Sequence, residues 1–167
     1  MLRCSMARWL FVPGAALALL VGGCSSDRPR DDGAAGSLSG DVSCTADPRV
    51  EPFREGMAKD GQRGELRFEL LASEPAPPAK GDNAFELRVS DQHDDAADVA
   101  LAVELSMPDH GHGSPAAPKV SFDGQRFSVT PLDLFMAGVW QVDFQAVSVA
   151  DDATELDEAR FFFCIEG

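Results

Sequence analysis

The sequence predicts an all-β protein: an immunoglobulin-like or cupredoxin-like antiparallel sandwich of about seven strands. Three observations carry that expectation. Apolar and polar residues alternate with a period of two from Leu66 onward, turn-forming residues interrupt the alternation at short intervals, and no long stretch of helical period competes with it. Leu66, Phe68 and Leu70 give the first strand, and Phe85, Leu87 and Val89 the second, across the breaker stretch Pro75 to Gly81. Val99, Leu101, Val103, Leu105 and Met107 form a third. Val120 and Phe122, then Asp123-Gly124, then Phe127 and Val129 spell out a hairpin. Trp140, Val142, Phe144 and Ala146 form a sixth strand, with Trp140 read as core. The last runs from Ala159 to Ile165, where the succession Phe161, Phe162, Phe163 predicts burial on both faces. Residues Thr45 to Gly64, with Phe53 and Met57 among charges, hold a pattern too brief to assign, although a short helical turn is compatible with it.

The 167 residues accommodate one domain behind a targeting segment. Met1 to Arg8 carry Arg3 and Arg8 and no acid, and Trp9 to Val21 are apolar but short for a bilayer span, which is the layout of a signal peptide. It ends in Leu20-Val21-Gly22-Gly23-Cys24, which resembles the bacterial lipobox, so residues 1–23 are expected to be removed and Cys24 acylated. An ordinary secretory cut or an uncut anchor helix is the competing reading. Acyl chains hold a protein at a membrane because each buried methylene contributes ~0.8 kcal/mol. The expected location is therefore the cell envelope, lipid-anchored on the periplasmic or extracellular side. Residues 24–43, rich in Ser, Asp, Gly and Ala, cannot bury enough surface to offset ordering entropy and read as a tether; 44–167 is the domain.

The chain has 14 basic and 28 acidic residues, a formal net charge of −14 that becomes more negative once Arg3 and Arg8 leave. That balance makes nucleic acid and anionic lipid surfaces poor partners; cations and basic proteins are better ones, and a well-solvated surface is the plainest explanation. With Cys4 in the signal peptide and Cys24 lipidated, Cys44 and Cys164 remain as a pair in an oxidising compartment and are expected to be bridged. The bond would close a loop of about 120 residues, which chain-entropy reasoning puts at roughly 4 to 5 kcal/mol of stabilisation. A cysteine-based metal site is the weaker alternative, two distant thiols without a neighbouring histidine being poor support for it.

Chemistry concentrates in Met107-Pro108-Asp109-His110-Gly111-His112-Gly113-Ser114, which holds two of the three histidines at the end of the third strand. If successive strands reverse direction, the chain returns through Val129 to that same end, and Leu132 to Gly138, carrying Met136, lies beside the histidine loop. Met107, His110, His112 and Met136 are then expected at one pole and His93 at the other. Thioether sulfur and imidazole nitrogen suit Cu(I), whereas zinc more often recruits cysteine or a third histidine. Gly111 and Gly113 free the backbone to turn both rings one way, and Asp109 is placed to orient one of them. The plain alternative makes the methionines core side chains and the histidine run a solvated turn. Asp91, Asp94, Asp95 and Asp98 around His93 lack the glycine and flanking helices of a calcium loop and read as a solvated acidic turn.

The pair of segments MPDHGHGS (Met107 to Ser114) and PLDLFMAGVWQVDF (Pro131 to Phe144) resembles the YtkA-like family, related to FixH-like domains, over roughly Leu66 to Cys164. The resemblance implies an exported or membrane-attached β-sandwich found in contexts of copper supply or cytochrome oxidase assembly, and it does not imply an enzyme. It points to Met107, His110, His112 and Met136 as ligands, with Phe135, Gly138 and Trp140 as the structural part of the second segment. The sequence departs from the family pattern at Asp109 and Ala137, where small or proline-like residues are common, and neither change removes a ligand.

No serine or cysteine nucleophile with its base can be assembled, and no phosphate-binding glycine loop is present, so catalysis is not expected. The sequence supports a copper-binding accessory or chaperone that passes Cu(I) to a copper-receiving envelope protein. A metal-free envelope protein-interaction module is the alternative.

Overall fold

The computed structural model describes residues 44–167; the expected signal peptide over 1–23, the expected lipid-attachment residue Cys24 and the expected tether over 24–43 lie outside the described residues. Nine strands fall within that range: β1 (Met57–Asp60), β2 (Arg67–Glu74), β3 (Gly81–Ser90), β4 (Val99–Met107), β5 (His112–Gly113), β6 (Lys119–Phe122), β7 (Phe127–Leu134), β8 (Gly138–Ser148) and β9 (Asp151–Ile165). They form two antiparallel sheets, ordered β1-β2-β3-β7-β6 and β5-β4-β8-β9. The all-β sandwich expected from the alternation is the fold.

All seven strands expected from the alternation are present; all but β6 place alternate side chains between the sheets, and the edge strand β6 packs only Val120 against the core. Phe68, Leu70, Phe85, Leu87 and Val129 from one sheet meet Leu105, Trp140, Val142, Phe144 and Phe161 from the other, all buried. At ~25 cal/mol per Å² of apolar area removed from water, these large side chains supply the main drive for folding. Asp123-Gly124 turns β6 into β7, with Phe122 opposite Phe127 and Gly124 at φ 102°.

Two strands were not legible in the sequence. β1 is four residues long, and tertiary contacts hold it: Lys59 Nζ donates to Arg160 O at 2.9 Å and sits 5.1 Å from the centroid of the Phe161 ring. β5 has two residues and exists because the histidine loop folds back on β4. The helical turn allowed for Thr45 to Gly64 is a single 3₁₀ turn at Cys44–Ala46.

The last strand begins earlier than its apolar residues indicate. In β9 the acidic stretch before Ala159 pairs with β8, and the fully buried Asp157 is what it carries inward. The Asp157 carboxylate accepts the backbone N–H groups of Arg63, Glu65, Leu66 and Glu158 at 2.9–3.0 Å. Burial works to raise its pKa, but the four N–H groups outweigh it and hold the carboxyl below its ordinary value. A side chain on Gly61 would collide with this carboxylate, so the β1–β2 turn closes around it.

The phenylalanine run is a correction. Phe161 and Phe163 are buried, but Phe162 is only half-buried, because β9 is the edge of its sheet and points every second residue outward. That outer side is crossed by the N-terminal segment, whose Glu51 N–H donates to Phe162 O at 3.3 Å. Cys164, also outward, is bonded to Cys44 with Cα atoms 5.3 Å apart, as expected from the cysteine count. The cysteine-based metal site is thereby excluded. Among the described residues no helix is long and apolar enough to cross a membrane.

Candidate metal centre

The histidine loop is a tight return from β4. His110 N–H and Gly111 N–H both donate to Met107 O, at 3.1 and 2.9 Å, and Gly111 takes φ 69°, a conformation that glycine adopts without a Cβ penalty. The chain then pairs back on β4 with His112 opposite Met107 and Gly113 opposite Ser106. Gly113 serves a different need from Gly111: a Cβ there would stand 2.6 Å from Leu105 O, so only glycine lets β5 lie this close. With the two turns of backbone so arranged, the His110 and His112 rings come to 5.8 Å between centroids. Both histidines are exposed, while Met107 is fully buried at the end of β4.

The second loop, residues 135–137 between β7 and β8, lies against the first, as strand parity predicted. Phe135 stacks on His112 at 5.7 Å between centroids and meets the Trp140 ring edge-on at 5.4 Å. Trp140 is core, as expected, and its indole Nε1–H donates to Met136 O at 2.9 Å, which fixes the loop to the sheet. Met136 is half-buried, its side chain packed against the core. His93 lies beyond the other end of β4, in the turn after β3, with its side chain 83% exposed.

Gly138 is the residue on which the pole closes. It has φ 134°, and a Cβ built there would lie 2.7 Å from Met107 Cε and 3.8 Å from His110 Nε2. The terminal methyl of Met107, one bond from its sulfur, and one imidazole nitrogen of His110 therefore both border the space a side chain would occupy. His112 makes a long 3.3 Å contact from Nδ1 to the carbonyl oxygen of Gly113. The structure thus gathers Met107, His110 and His112, and brings the backbone of Met136 alongside. Among the described residues no three His, Cys, Asp or Glu side chains converge as a metal site.

Asp109 corrects one expectation. Its carboxylate accepts Arg49 Nη2 at 2.6 Å, so the group expected to orient an imidazole is engaged by a cation from the N-terminal segment. Arg49 also binds Asp47 twice, and the Asp47 carboxyl falls to about 2, chiefly through the side-chain hydrogen bond from Arg49 and then the one from its backbone N–H. Nothing in a single sequence signals this contact between residues 60 positions apart. Gly138, by contrast, is one of the residues that the resemblance already points to as structural, although its closeness to Met107 and His110 is not legible in the sequence. The acidic turn is solvated, as expected: Asp91 Oδ1 accepts the N–H groups of His93 and Asp95, and Asp94 pairs with Arg88.

No family model matches the chain, and no curated protein matches it by sequence. Among solved structures it is similar to FetP of uropathogenic Escherichia coli strain F11, expressed in the periplasm, at 9% identity and a TM-score of 0.42, over 70% of this chain and 93% of that one. A copper-bound variant of the same protein gives 9% identity and 0.41 over 70% and 94%. At that distance neither structure assigns a role to any residue here.

Proposed function

We propose that the chain is an extracytoplasmic, lipid-anchored accessory protein of the YtkA-like type that carries copper as cargo. In this reading Cu(I) is held by Met107, His110, His112 and Met136 and surrendered to a copper-receiving envelope protein. The observation that supports it most is the approach of the Met107 methyl and His110 Nε2 to one point beside Gly138, with the second imidazole next to the first. Two thioethers and two imidazoles are a soft-to-borderline donor set, which matches Cu(I) better than the oxygen-seeking cations. The division of burial suits transfer. Met107 forms the floor, while both exposed imidazoles face an incoming partner whose own ligands can replace them one at a time. The disulfide accords with an oxidising compartment.

Titration of the untagged domain with Cu(I) against a competing chelator tests this. Affinity falls by roughly tenfold or more in His110→Ala and Met136→Ala, since removing a ligand costs at least what removing a group behind a ligand does. Equal affinity in all three proteins overturns the proposal.

A second reading, a metal-free interaction module, is favoured by one observation. Met107 is wholly within the core, Met136 packs against it, and Phe135 is 38% exposed at the same pole, an aromatic of the kind that anchors protein contacts. Wild-type protein that takes up no Cu(I) selects this reading.

A further inference from the structure

The segment that follows Cys44 behaves as a strap laid from the disulfide to the histidine turn. It is fastened at one end by the Cys44–Cys164 bond and at the other by Glu51 N–H to Phe162 O, with a local turn closed by Asp47 N–H to Cys44 O between them. Between them stands Arg49. Asp47 presents its guanidinium from behind, accepting Nε at 2.9 Å and Nη2 at 2.7 Å, while Nη2 also reaches Asp109 Oδ2 at 2.6 Å. A guanidinium already held on two sides by one carboxylate has little side-chain freedom left to lose when it grips a second. Asp109 is the residue before His110 and sits inside the turn that Met107 O closes. The disulfide itself lies near: Cys164 pairs with Val139 across β8–β9, one position from Gly138.

We propose, resting on the copper reading, that Arg49 is a positioning residue for the His110–His112 turn. Through it the disulfide-anchored strap sets how well that turn is organised to take Cu(I). Arg49 touches neither cargo nor imidazole and acts through Asp109. Its removal frees the turn to sample conformations in which the two rings part, and the ion must then supply the ordering.

Amide hydrogen exchange of the metal-free protein reads the turn without any copper. Exchange at His110 and Gly111 rises severalfold in Arg49→Ala and in Asp109→Ala, and no further in the double variant, because one contact is being removed three ways. Arg49→Lys restores part of the protection, since an ammonium still pairs with Asp109, whereas Arg49→Gln restores none. Cu(I) affinity falls by roughly tenfold in Arg49→Ala, the lower end of what residues behind metal ligands contribute. The Cys44→Ser/Cys164→Ser protein repeats both effects while the β4–β8 amides stay protected. Unchanged exchange at His110 and Gly111 in Arg49→Ala, or additive effects in the double variant, overturns the strap. Exchange that rises as expected in Arg49→Ala, together with wild-type protein that binds no Cu(I), overturns the copper reading instead.

Discussion

Replacing Gly138 by alanine should be far more damaging than one methyl group implies, and the structure separates the reasons. The first is conformational: φ 134° is a region that L residues rarely adopt, and holding one there costs about 1 to 3 kcal/mol. The second is steric: the new Cβ meets Met107 Cε at 2.7 Å, and although this is the far end of a flexible side chain, its full burial leaves it little room to move, so the overlap adds about 1 kcal/mol, the low end of overpacking costs. Together they amount to about 2 kcal/mol or more, which for a domain of this size lowers Tm by at least about 6 °C. Gly124→Ala is the control, because Gly124 has φ 102° and nothing within 4 Å of its Cβ position, so it carries only the conformational part. Urea and thermal denaturation of both variants give the comparison. The steric share is isolated on a Met107→Ala background, where Gly138→Ala should cost about 1 kcal/mol less than in the wild type if the two groups collide. Strict additivity of Gly138→Ala and Met107→Ala, or equal losses at Gly138 and Gly124, refutes the argument that the pole is closed by this contact.

Asp157→Asn leaves an amide NH₂ facing backbone donors that a carboxylate satisfied, and should destabilise the domain by about 2 to 4 kcal/mol in urea titration. Because the native carboxyl titrates below its ordinary value of 3.8, its contribution is complete above that value and disappears as pH falls through the lower, folded one. Wild-type stability should therefore decline more steeply below about pH 4 than that of Asp157→Asn, and parallel acid profiles would count against the four-bond account. Reducing the Cys44–Cys164 bond should remove up to roughly 4 to 5 kcal/mol, measured as a shift of the urea midpoint with and without reductant. Trp140→Phe deletes the donor to Met136 O and should cost about 2 to 4 kcal/mol, with hydrogen exchange in residues 135–137 rising before that of β8.

The fold was legible wherever a strand is half-buried, since a side chain pattern of period two is what a sandwich imposes on its sequence. Phe85, Leu87 and Val89 announce β3, and Trp140 to Ala146 announce β8, by that rule alone. It failed where another force sets the strand. β1 is held by Lys59 reaching across to Arg160 O, β5 by the backbone closeness that Gly113 permits, and the start of β9 by a buried carboxylate rather than a hydrocarbon. None of these leaves an alternation to read. The pole was legible in outline for a topological reason: antiparallel strands return loops to predictable ends, so two loops of one parity had to be neighbours. What lay beyond reach was side-chain detail. The thioether of Met107 lies inside the core, and Asp109 is engaged by Arg49, a contact that depends on how the N-terminal segment crosses β9.

Trp140 has a further consequence. The full chain contains no tyrosine and only two tryptophans, and the other, Trp9, belongs to the expected signal peptide. The processed protein would then emit ultraviolet fluorescence from a single indole, joined ring by ring through Phe135 to His112. Whatever arrives at or departs from those imidazoles is written into one uncrowded optical signal, with no label attached.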